Sequence, residues 1–428
     1  MNYKICKLQE VDASGYIKNL YLNKTIDSNW SYEKQHSYIR NLYIGFSSNS
    51  FINTFSKLGN KPNIIFWNLE ILQKKWAQEN NFDFNEKDWI KSILIFQLKN
   101  LKPDVLFFQN CSSLNQNLRK NIKNIIPEIK LVLIDEDWPG AFQDLSDSDI
   151  LIVNTPILQE RYNYLKPYLL YHSFDSDLLK NEKLINLDKN YDVSFLGSLR
   201  FPESRYFFLK KLNNQFDIKI WSQLNKHVNI KSEKSFNLKK KIGNFIKRFL
   251  SNQILKKLIF IFNISKIPSK ILEIINAGSL LRNKKNQIPP ISKFEIENEN
   301  FELIKKKNFF QSVYGLDYYS IIKQSKIVIN KHADYANHTV DNMKMFETTG
   351  MGSCLVSDYG NNLKELFEED YEIITYKSIE EAAEKIKFLI NNPKVAKEIG
   401  LRGQQKTLKK HNSFLRNCEI NEIIKKKL

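Results

Sequence analysis

The chain is poor in cysteine and has no long apolar run. These two features argue against a disulfide-rich, zinc-binding or membrane-spanning protein. Four cysteines occur in 428 residues. They are Cys6, Cys111, Cys354 and Cys418. They form no CxxC pair, so neither a zinc site nor a disulfide framework is suggested, and a reducing compartment fits. No apolar run reaches about 18 residues, so we expect no transmembrane helix.

Targeting and common catalytic signatures are lacking as well. The first residues, MNYKICKLQEVDASG, show no basic and then apolar signal pattern, so we expect a cytoplasmic protein. No P-loop, Ser-His-Asp order or metal-ligand spacing stands out. We therefore expect no bound metal and no cofactor.

The charge, by contrast, is strongly positive, with 65 Lys and Arg against 47 Asp and Glu and a net charge of +18. One interpretation is an anionic partner, and the other is the codon bias of an AT-rich genome. Much of the charge lies in residues 231–285, which hold fourteen basic and two acidic residues. This basic segment predicts either amphipathic helices on the inner face of an anionic membrane or helices that merely pack on their domain. A nucleic-acid partner is not expected, because no recognition module is present.

Short apolar runs alternate with helical patterns along the whole chain. In the first half the predicted strands are 63–68, 103–110, 129–137 and 149–154, with a helix over 89–99. In the second half they are 191–198, 217–222, 326–330, 353–358 and 371–376, with helices over 202–212, 342–350 and 378–392. Continuous apolar strands between helices predict parallel sheets covered on both faces.

The fold class predicted is therefore α/β, with two Rossmann-like, doubly wound domains facing each other across a cleft. We place the first domain at 1–185 and the second at 186–412, with an insert over about 225–305. The chain ends in a predicted helix from Ser413, spanning 413–428, which we expect to return to the first domain as in similar enzymes. The boundary falls near 180–190, where the sequence is polar.

The segment 326–367 carries the clearest chemical signal. A helix is expected to begin at Asp341 or Asn342, which are both good N-caps. Lys344 then lies in the first turn, where the helix dipole disfavours a cation unless an anion binds there. Glu347 shares the face of Lys344. A cation for phosphate beside a carboxylate for sugar hydroxyls suits a nucleoside diphosphate, whereas a surface Lys–Glu pair is the alternative.

This segment resembles the C-terminal signature of the CgeB-like, group 1 type glycosyltransferases. The matching positions are Asn342, Lys344, Phe346, Glu347, Gly352, Ser357, Asp358, Leu363 and Phe367. The elements 191–205, 67–77 and 97–109 are similar to the same family, so the resemblance covers most of the chain except about 225–305. It implies the GT-B arrangement of two Rossmann-like domains and a nucleotide-sugar donor in the second domain.

The resemblance also implies roles for single residues. Glu347 would hold the ribose hydroxyls and Lys344 would face the diphosphate, with Asn342 in the same motif. Gly197 and Ser198 would let backbone amides approach the diphosphate, and Arg200 and Arg205 are further phosphate candidates. Two positions depart from the family. Arg is usual at the Lys344 position, and Thr339 stands where retaining relatives have Glu, which leaves the stereochemical outcome open.

The candidate residues for the acceptor site are Asp135, Glu136 and Asp137, which follow a predicted strand. Asp135 or Asp137 would serve as acceptor ligand or general base at the cleft. An Asp-x-Asp metal motif and a loop of solvated acids are the alternatives. His172, just before the interdomain segment, is a further catalytic candidate. His332 and Asp334 follow a strand end, the usual ligand edge of an open α/β sheet, so His332 is a donor-site candidate.

The leading hypothesis is a metal-independent transfer of a hexose-type sugar from a nucleoside diphosphate to a glycan, lipid-linked or protein acceptor. By resemblance, the setting would be assembly of bacterial surface polysaccharide or glycoconjugate. A nucleotide-sugar epimerase on the same fold and a non-catalytic binding protein are the alternatives.

Overall fold

The computed structural model describes residues 2–44, 48–109, 114–138, 143–199, 203–222, 308–333, 336 and 338–428. Within these residues the chain forms two separate parallel sheets, each with helices on both faces. The predicted insert over 225–305, including the basic segment 231–285, lies outside the described residues, as do Arg200 and Asp334. No helix in the described part of the chain is long and apolar enough to cross a membrane.

The first sheet takes its strands from residues 4–169. They are β1 (Lys4–Gln9), β2 (Lys61–Phe66), β3 (Val105–Gln109), β4 (Leu131–Glu136), β5 (Ile150–Val153) and β6 (Tyr168–Leu169). The spatial order is β2-β1-β3-β4-β5-β6, and every neighbouring pair is parallel. β3, β4 and β5 are buried throughout, because helices cover both of their faces.

Eight helices connect and cover these strands among the described residues. They are α1 (Ser14–Leu22), α2 (Tyr32–Arg40), α3 (Ser48–Lys57), α4 (Glu70–Glu79), α5 (Trp89–Leu101), α6 (Gln116–Lys120), α7 (Ile122–Ile125) and α8 (Pro156–Arg161). Local sequence sets several of their starts. Ser31 caps α2, and Thr155 caps α8 immediately before the proline that opens that helix.

The second sheet takes its strands from residues 191–376. They are β7 (Tyr191–Leu196), β8 (Ile218–Trp221), β9 (Phe309–Phe310), β10 (Ser325–Ile329), β11 (Cys354–Asp358) and β12 (Ile374–Tyr376). The order is β12-β11-β10-β7-β8-β9, again with only parallel pairs. β7 and β10 are adjacent at the centre, where the strand order reverses, and such a reversal is the usual ligand edge of an open sheet.

The second half of the chain supplies seven helices within the described residues. They are α9 (Glu203–Asn213), α10 (Gly315–Gln324), α11 (Met343–Gly350), α12 (Leu363–Leu366), α13 (Ile379–Asn391), α14 (Pro393–Lys410) and α15 (Ser413–Lys425). As predicted, α11 is N-capped by Asn342 and α13 ends before Pro393. Pro393 then opens α14, a helix that the sequence analysis did not identify.

The last helix leaves the second domain and packs on the first. Ile420, Ile423 and Ile424 of α15 join the core formed by α3 and the first sheet. Asn421 Oδ1 accepts hydrogen bonds from Tyr3 Oη at 2.7 Å and from Asn60 Nδ2 at 2.9 Å. The end of the chain therefore ties the second domain to the first.

A second tie lies where the interdomain segment meets the start of α15. The backbone of Phe174 donates to His411 O at 2.8 Å and accepts from Ser413 N at 2.9 Å. The ring of Phe174 lies against Gly350, where a Cβ atom would come within 2.3 Å of the ring. Only glycine permits this approach at the end of α11.

The predicted fold class, two doubly wound α/β domains, is confirmed. The domain bounds 1–185, 186–412 and 413–428 stay predictions. The predicted strands 103–110, 129–137 and 149–154 are found with ends trimmed by one or two residues, and 326–330 is found one residue earlier, at 325–329. β1, β6 and β9 were not predicted, because Lys4, Lys7 and Gln9 break the apolar run of β1 and the other two strands have only two residues each.

Candidate functional site

The N-terminus of α11 is held at the edge of the second sheet by a set of amides. Asn342 Oδ1 accepts from Met345 N at 3.3 Å, which caps the helix. The side chains of Asn342 and Asn330 exchange two hydrogen bonds of 3.0 and 3.1 Å. Asn330 also donates to Ser357 Oγ at 3.1 Å. Asn342, predicted as a donor-site residue, thus orients the helix through β10 and β11.

Lys344 points from this first turn toward the end of β7. Its Nζ lies 4.2 Å from the centroid of the Phe195 ring. Burial, and then the nearby charge of Arg205, lower the pKa of Lys344 to about 7. Among the described residues no carboxylate lies within ion-pair distance of its Nζ. The arrangement is a desolvated cation at a helix N-terminus, as an anion site requires.

Gly197 leaves space for the side chain of Lys344. A Cβ atom on Gly197 would lie 2.8 Å from Lys344 Nζ, and the φ of this residue is +143°. The Gly197 amide itself donates to Trp221 O at 3.0 Å, in the ladder between β7 and β8. The hydrogen of this amide is therefore engaged within the sheet, and the approach of backbone amides to a diphosphate at Gly197 and Ser198 stays a prediction. Because Gly197 has no side chain, the Lys344 ammonium group can approach the end of β7.

Ser198 and Arg205 complete the described part of this strand end. Ser198 is exposed at the end of β7. The Arg205 guanidinium donates to Ser198 O at 2.9 Å and to Lys331 O at 2.7 and 3.0 Å. Arg205 thus clamps the β7 and β10 ends together and adds positive charge beside Lys344.

Glu347 lies one turn further along α11 and is held by two tyrosines of α10. Tyr318 Oη donates to Glu347 Oε2 at 2.8 Å, and Tyr319 Oη donates to Oε1 at 3.1 Å. Burial raises the pKa of Glu347, and the two tyrosine hydrogen bonds and Lys344 oppose that shift. The side chain is 9% exposed, so it does not point into open solvent. Each carboxylate oxygen keeps a lone pair for another donor.

His332, whose role in donor binding stays a prediction, is engaged on both ring nitrogens. Its Nε2 accepts from the backbone N–H groups of Asp341 at 3.2 Å and Asn342 at 3.4 Å. A backbone N–H can only donate, so the proton lies on Nδ1, which donates to Asp358 at 2.7 Å. Burial alone would raise the pKa of Asp358, yet His332 and Lys331 hold it at about 2. His332 therefore fixes the entry to α11.

The three acids after β4 have different surroundings. Asp135 accepts from Asn154 at 3.2 Å, and burial raises its pKa to about 6. Glu136 accepts from Trp138 N and Gln143 and is a structural residue. Asp137 is half-buried, and burial together with Glu136 and Asp135 holds its pKa well above the usual range. In the described residues no three metal-ligating side chains come together.

Asp137 faces the second domain. Asp341, immediately before the Asn342 cap, is near enough for its charge to raise the pKa of Asp137 further. Asp341 is 8% exposed, its Oδ2 has no partner within the part of the chain that is described, and burial raises its pKa to about 8. The structure thus brings Asp137 of one domain toward the α11 N-terminus of the other.

His172 lies at the junction of the domains and lines a cavity with Asp135. Burial, and then the charge of Arg416, lower its pKa to about 4, so the imidazole is neutral at pH 7. Lys7 and Arg416 line the same cavity and were not predicted. Lys7 carries a weak sequence signal, as a cation inside an otherwise apolar strand. No sequence signal marks Tyr318, Tyr319 or Arg416, because their contacts are with residues far away in the sequence.

Residues 285–417 match the model of the glycosyl transferase-like family. The resemblance to glycosyltransferases is thereby confirmed for this region, whereas the CgeB-like group stays a prediction. Comparison of the sequence with curated proteins gives no match.

Solved structures with the same fold span the whole chain. Anabaena Alr3699/HepE, in complex with UDP-glucose, has 10% identity and a TM-score of 0.51, covering 99% of this chain and 100% of that one. AviGT4, a glycosyltransferase involved in avilamycin A biosynthesis, has 7% identity and a TM-score of 0.50, covering 98% and 96%. The two-domain GT-B arrangement that the sequence predicted is therefore the fold of this chain.

Proposed function

We propose that this chain transfers a sugar from a nucleoside diphosphate donor to the hydroxyl group of an acceptor. The observation that carries the proposal is Lys344, a desolvated cation at the α11 N-terminus, beside the buried carboxylate of Glu347. The pair offers a cation for the diphosphate and a carboxylate for the ribose diol of one nucleotide. The family match over 285–417 and the UDP-glucose complex of HepE support this proposal.

On the donor side, the diphosphate would lie against Lys344 and the exposed end of β7 at Ser198. Arg205, and Arg200 beyond the described residues, would add positive potential there. The ribose hydroxyls would donate to the Glu347 oxygens. Each of these oxygens accepts one hydrogen bond from an α10 tyrosine and keeps a lone pair for a ribose hydroxyl. Because cations would stabilise the leaving diphosphate, we expect transfer to proceed in the presence of a chelator.

On the acceptor side, Asp137 would act as general base. The acceptor oxygen attacks the anomeric carbon, the bond from that carbon to the phosphate oxygen breaks, and the hydroxyl proton passes to Asp137. Burial raises the pKa of Asp137, which makes its carboxylate a stronger base than an exposed aspartate. The negative charge that develops on the diphosphate is held by Lys344.

A thermal-shift screen against nucleoside diphosphates and their sugars tests the donor assignment. A ligand at a hundred times its Kd adds roughly 2.7 kcal/mol of stability, which gives a clear rise in Tm. We expect one nucleobase to stand out, and Glu347→Ala to remove its shift while the unliganded protein still unfolds cooperatively. A screen in which no nucleotide shifts the wild type would contradict the proposal. Turnover of a nucleotide sugar without any acceptor would indicate an epimerase instead.

A further inference from the structure

A cavity of about 70 Å³ lies at the junction of the two domains. The carboxyl ends of β1, β3, β4 and β5 form its floor, and α15 forms one wall. Met343, which precedes Lys344 on α11, lies at its rim on the donor side. The cavity is therefore next to the proposed donor site, and it contains Asp135, two residues before the proposed base.

Several polar atoms in this cavity are buried and have no hydrogen-bond partner among the described residues. Gln109 Oε1, Asn154 Oδ1 and Arg416 Nε are shielded from solvent and accept or donate no hydrogen bond within the described residues. Lys7 Nζ lies 5.2 and 5.7 Å from the ring centroids of Phe51 and Phe107, and burial lowers its pKa to about 7 against the opposing charge of Asp135. Leaving such groups unpaired costs free energy, so water or the hydroxyl groups of a ligand must satisfy them.

The mixture of these groups restricts the chemistry of the ligand. A phosphate or carboxylate would be repelled by the oxygens of Gln109, Asn154 and Asp135. An ammonium group would be repelled by Lys7 and Arg416. Hydroxyl groups both donate and accept, so a polyhydroxylated ligand can satisfy both sets at once. Phe107, Ile152 and Ile420 add apolar wall for a ring's C–H face.

The size of the cavity agrees with one sugar unit. At 10–15 Å³ for each water molecule, the cavity holds about five to seven waters, comparable with the hydroxylated part of a single ring. A lipid chain would find too few apolar walls, and an extended peptide would find too little room.

From this geometry we infer that the cavity is a subsite for the terminal sugar ring of the acceptor, so that the acceptor is a glycan. Gln109, Asn154 and Asp135 would accept from its hydroxyls, and Lys7 and Arg416 would donate to them. This inference rests on the proposed function. Among glycan, lipid and protein acceptors, it selects the glycan.

The test is ligand-detected NMR by saturation transfer, with methyl glycosides of the common hexoses and N-acetylhexosamines and with UDP present. We expect at least one methyl glycoside to bind the wild type and to bind Gln109→Met at least tenfold more weakly. Gln97→Met is the matched control. Gln97 is equally buried, in the same domain, and also has an unpartnered Oε1, but it lies outside the cavity. The Gln97→Met variant should bind the methyl glycoside as tightly as the wild type does.

Three outcomes would overturn the inference. They are no binding by any methyl glycoside, competition by inorganic phosphate or acetate, and equal binding by Gln109→Met and the wild type. Should Gln109→Met unfold, Asn154→Leu must show the same loss. Nucleotide binding is scored separately by thermal shift, so loss of the donor assignment and loss of this subsite are distinguishable.

Discussion

The proton on Lys344 gives the sharpest test of the donor site. In the free protein, burial and the charge of Arg205 lower the pKa of Lys344 to about 7, while Glu347 and Asp358 partly oppose the shift. A diphosphate in contact with Nζ favours the charged amine and raises that pKa. Donor binding should therefore take up a proton whenever the pH lies above 7.

The magnitude follows from this linkage. Below pH 7 the amine is charged in both the free and the bound state, so affinity is flat. Above pH 7 each unit makes binding up to tenfold weaker, which amounts to about fifty-fold between pH 7 and pH 9. Asp341, with a pKa raised to about 8, weakens binding in the same direction once it ionises. Lys344→Arg retains Asp341 and carries a permanent charge, so it isolates the lysine.

The assay is isothermal titration calorimetry of a nucleoside diphosphate sugar, whose diphosphate carries no proton in this range. Titrations at pH 8 in buffers with different ionisation enthalpies count the protons taken up. We expect close to one proton for the wild type and a clearly smaller number for Lys344→Arg. The reasoning is refuted if wild-type affinity is flat from pH 6.5 to 9, or if both proteins show the same slope.

Three further substitutions address the neighbouring groups. Glu347→Gln removes a charged acceptor of ribose hydroxyls and should weaken donor binding about 10–100-fold by calorimetry, and an unchanged Kd would count against the ribose assignment. Gly197→Ala places a Cβ 2.8 Å from Lys344 Nζ at a φ of +143°. It should destabilise the fold by about 1–3 kcal/mol and weaken donor binding, and a wild-type Tm in differential scanning calorimetry would contradict this. Asp137→Asn should lower kcat by about 100-fold or more and leave the donor Kd within about twofold. Wild-type turnover should rise with pH as Asp137 loses its proton, and an active variant with the same profile would exclude Asp137 as the base.

The sequence predicted the central strands well because each is a continuous apolar run, as in Val105–Gln109. It did not predict β1, because Lys7 interrupts the pattern. That lysine is buried over two aromatic rings, a placement that only the packing of α3 and β3 creates. Local periodicity therefore finds strands whose burial is apolar and misses strands that carry a functional polar group.

The candidate site divides in the same way. The Lys344–Glu347 pair was predictable, since its spacing and its N-cap are local features of one helix. The support from Tyr318 and Tyr319 was not, because it depends on how α10 packs against α11. His332 was predicted as a donor-site residue from its position at a strand end, whereas its hydrogen bonds to Asp358 and to the α11 backbone depend on the packing of distant segments. The cavity depends on the return of α15 to the first domain, which was expected from similar enzymes, but its lining side chains come from segments far apart in the sequence.

A crystal structure with the donor that gives the largest thermal shift is the decisive test of the donor site. We expect a diphosphate oxygen within hydrogen-bond distance of Lys344 Nζ and a ribose hydroxyl on the Glu347 carboxylate, with the sugar directed toward Asp137. A nucleotide bound elsewhere, with the Glu347 carboxylate contacting only Tyr318 and Tyr319, would contradict it.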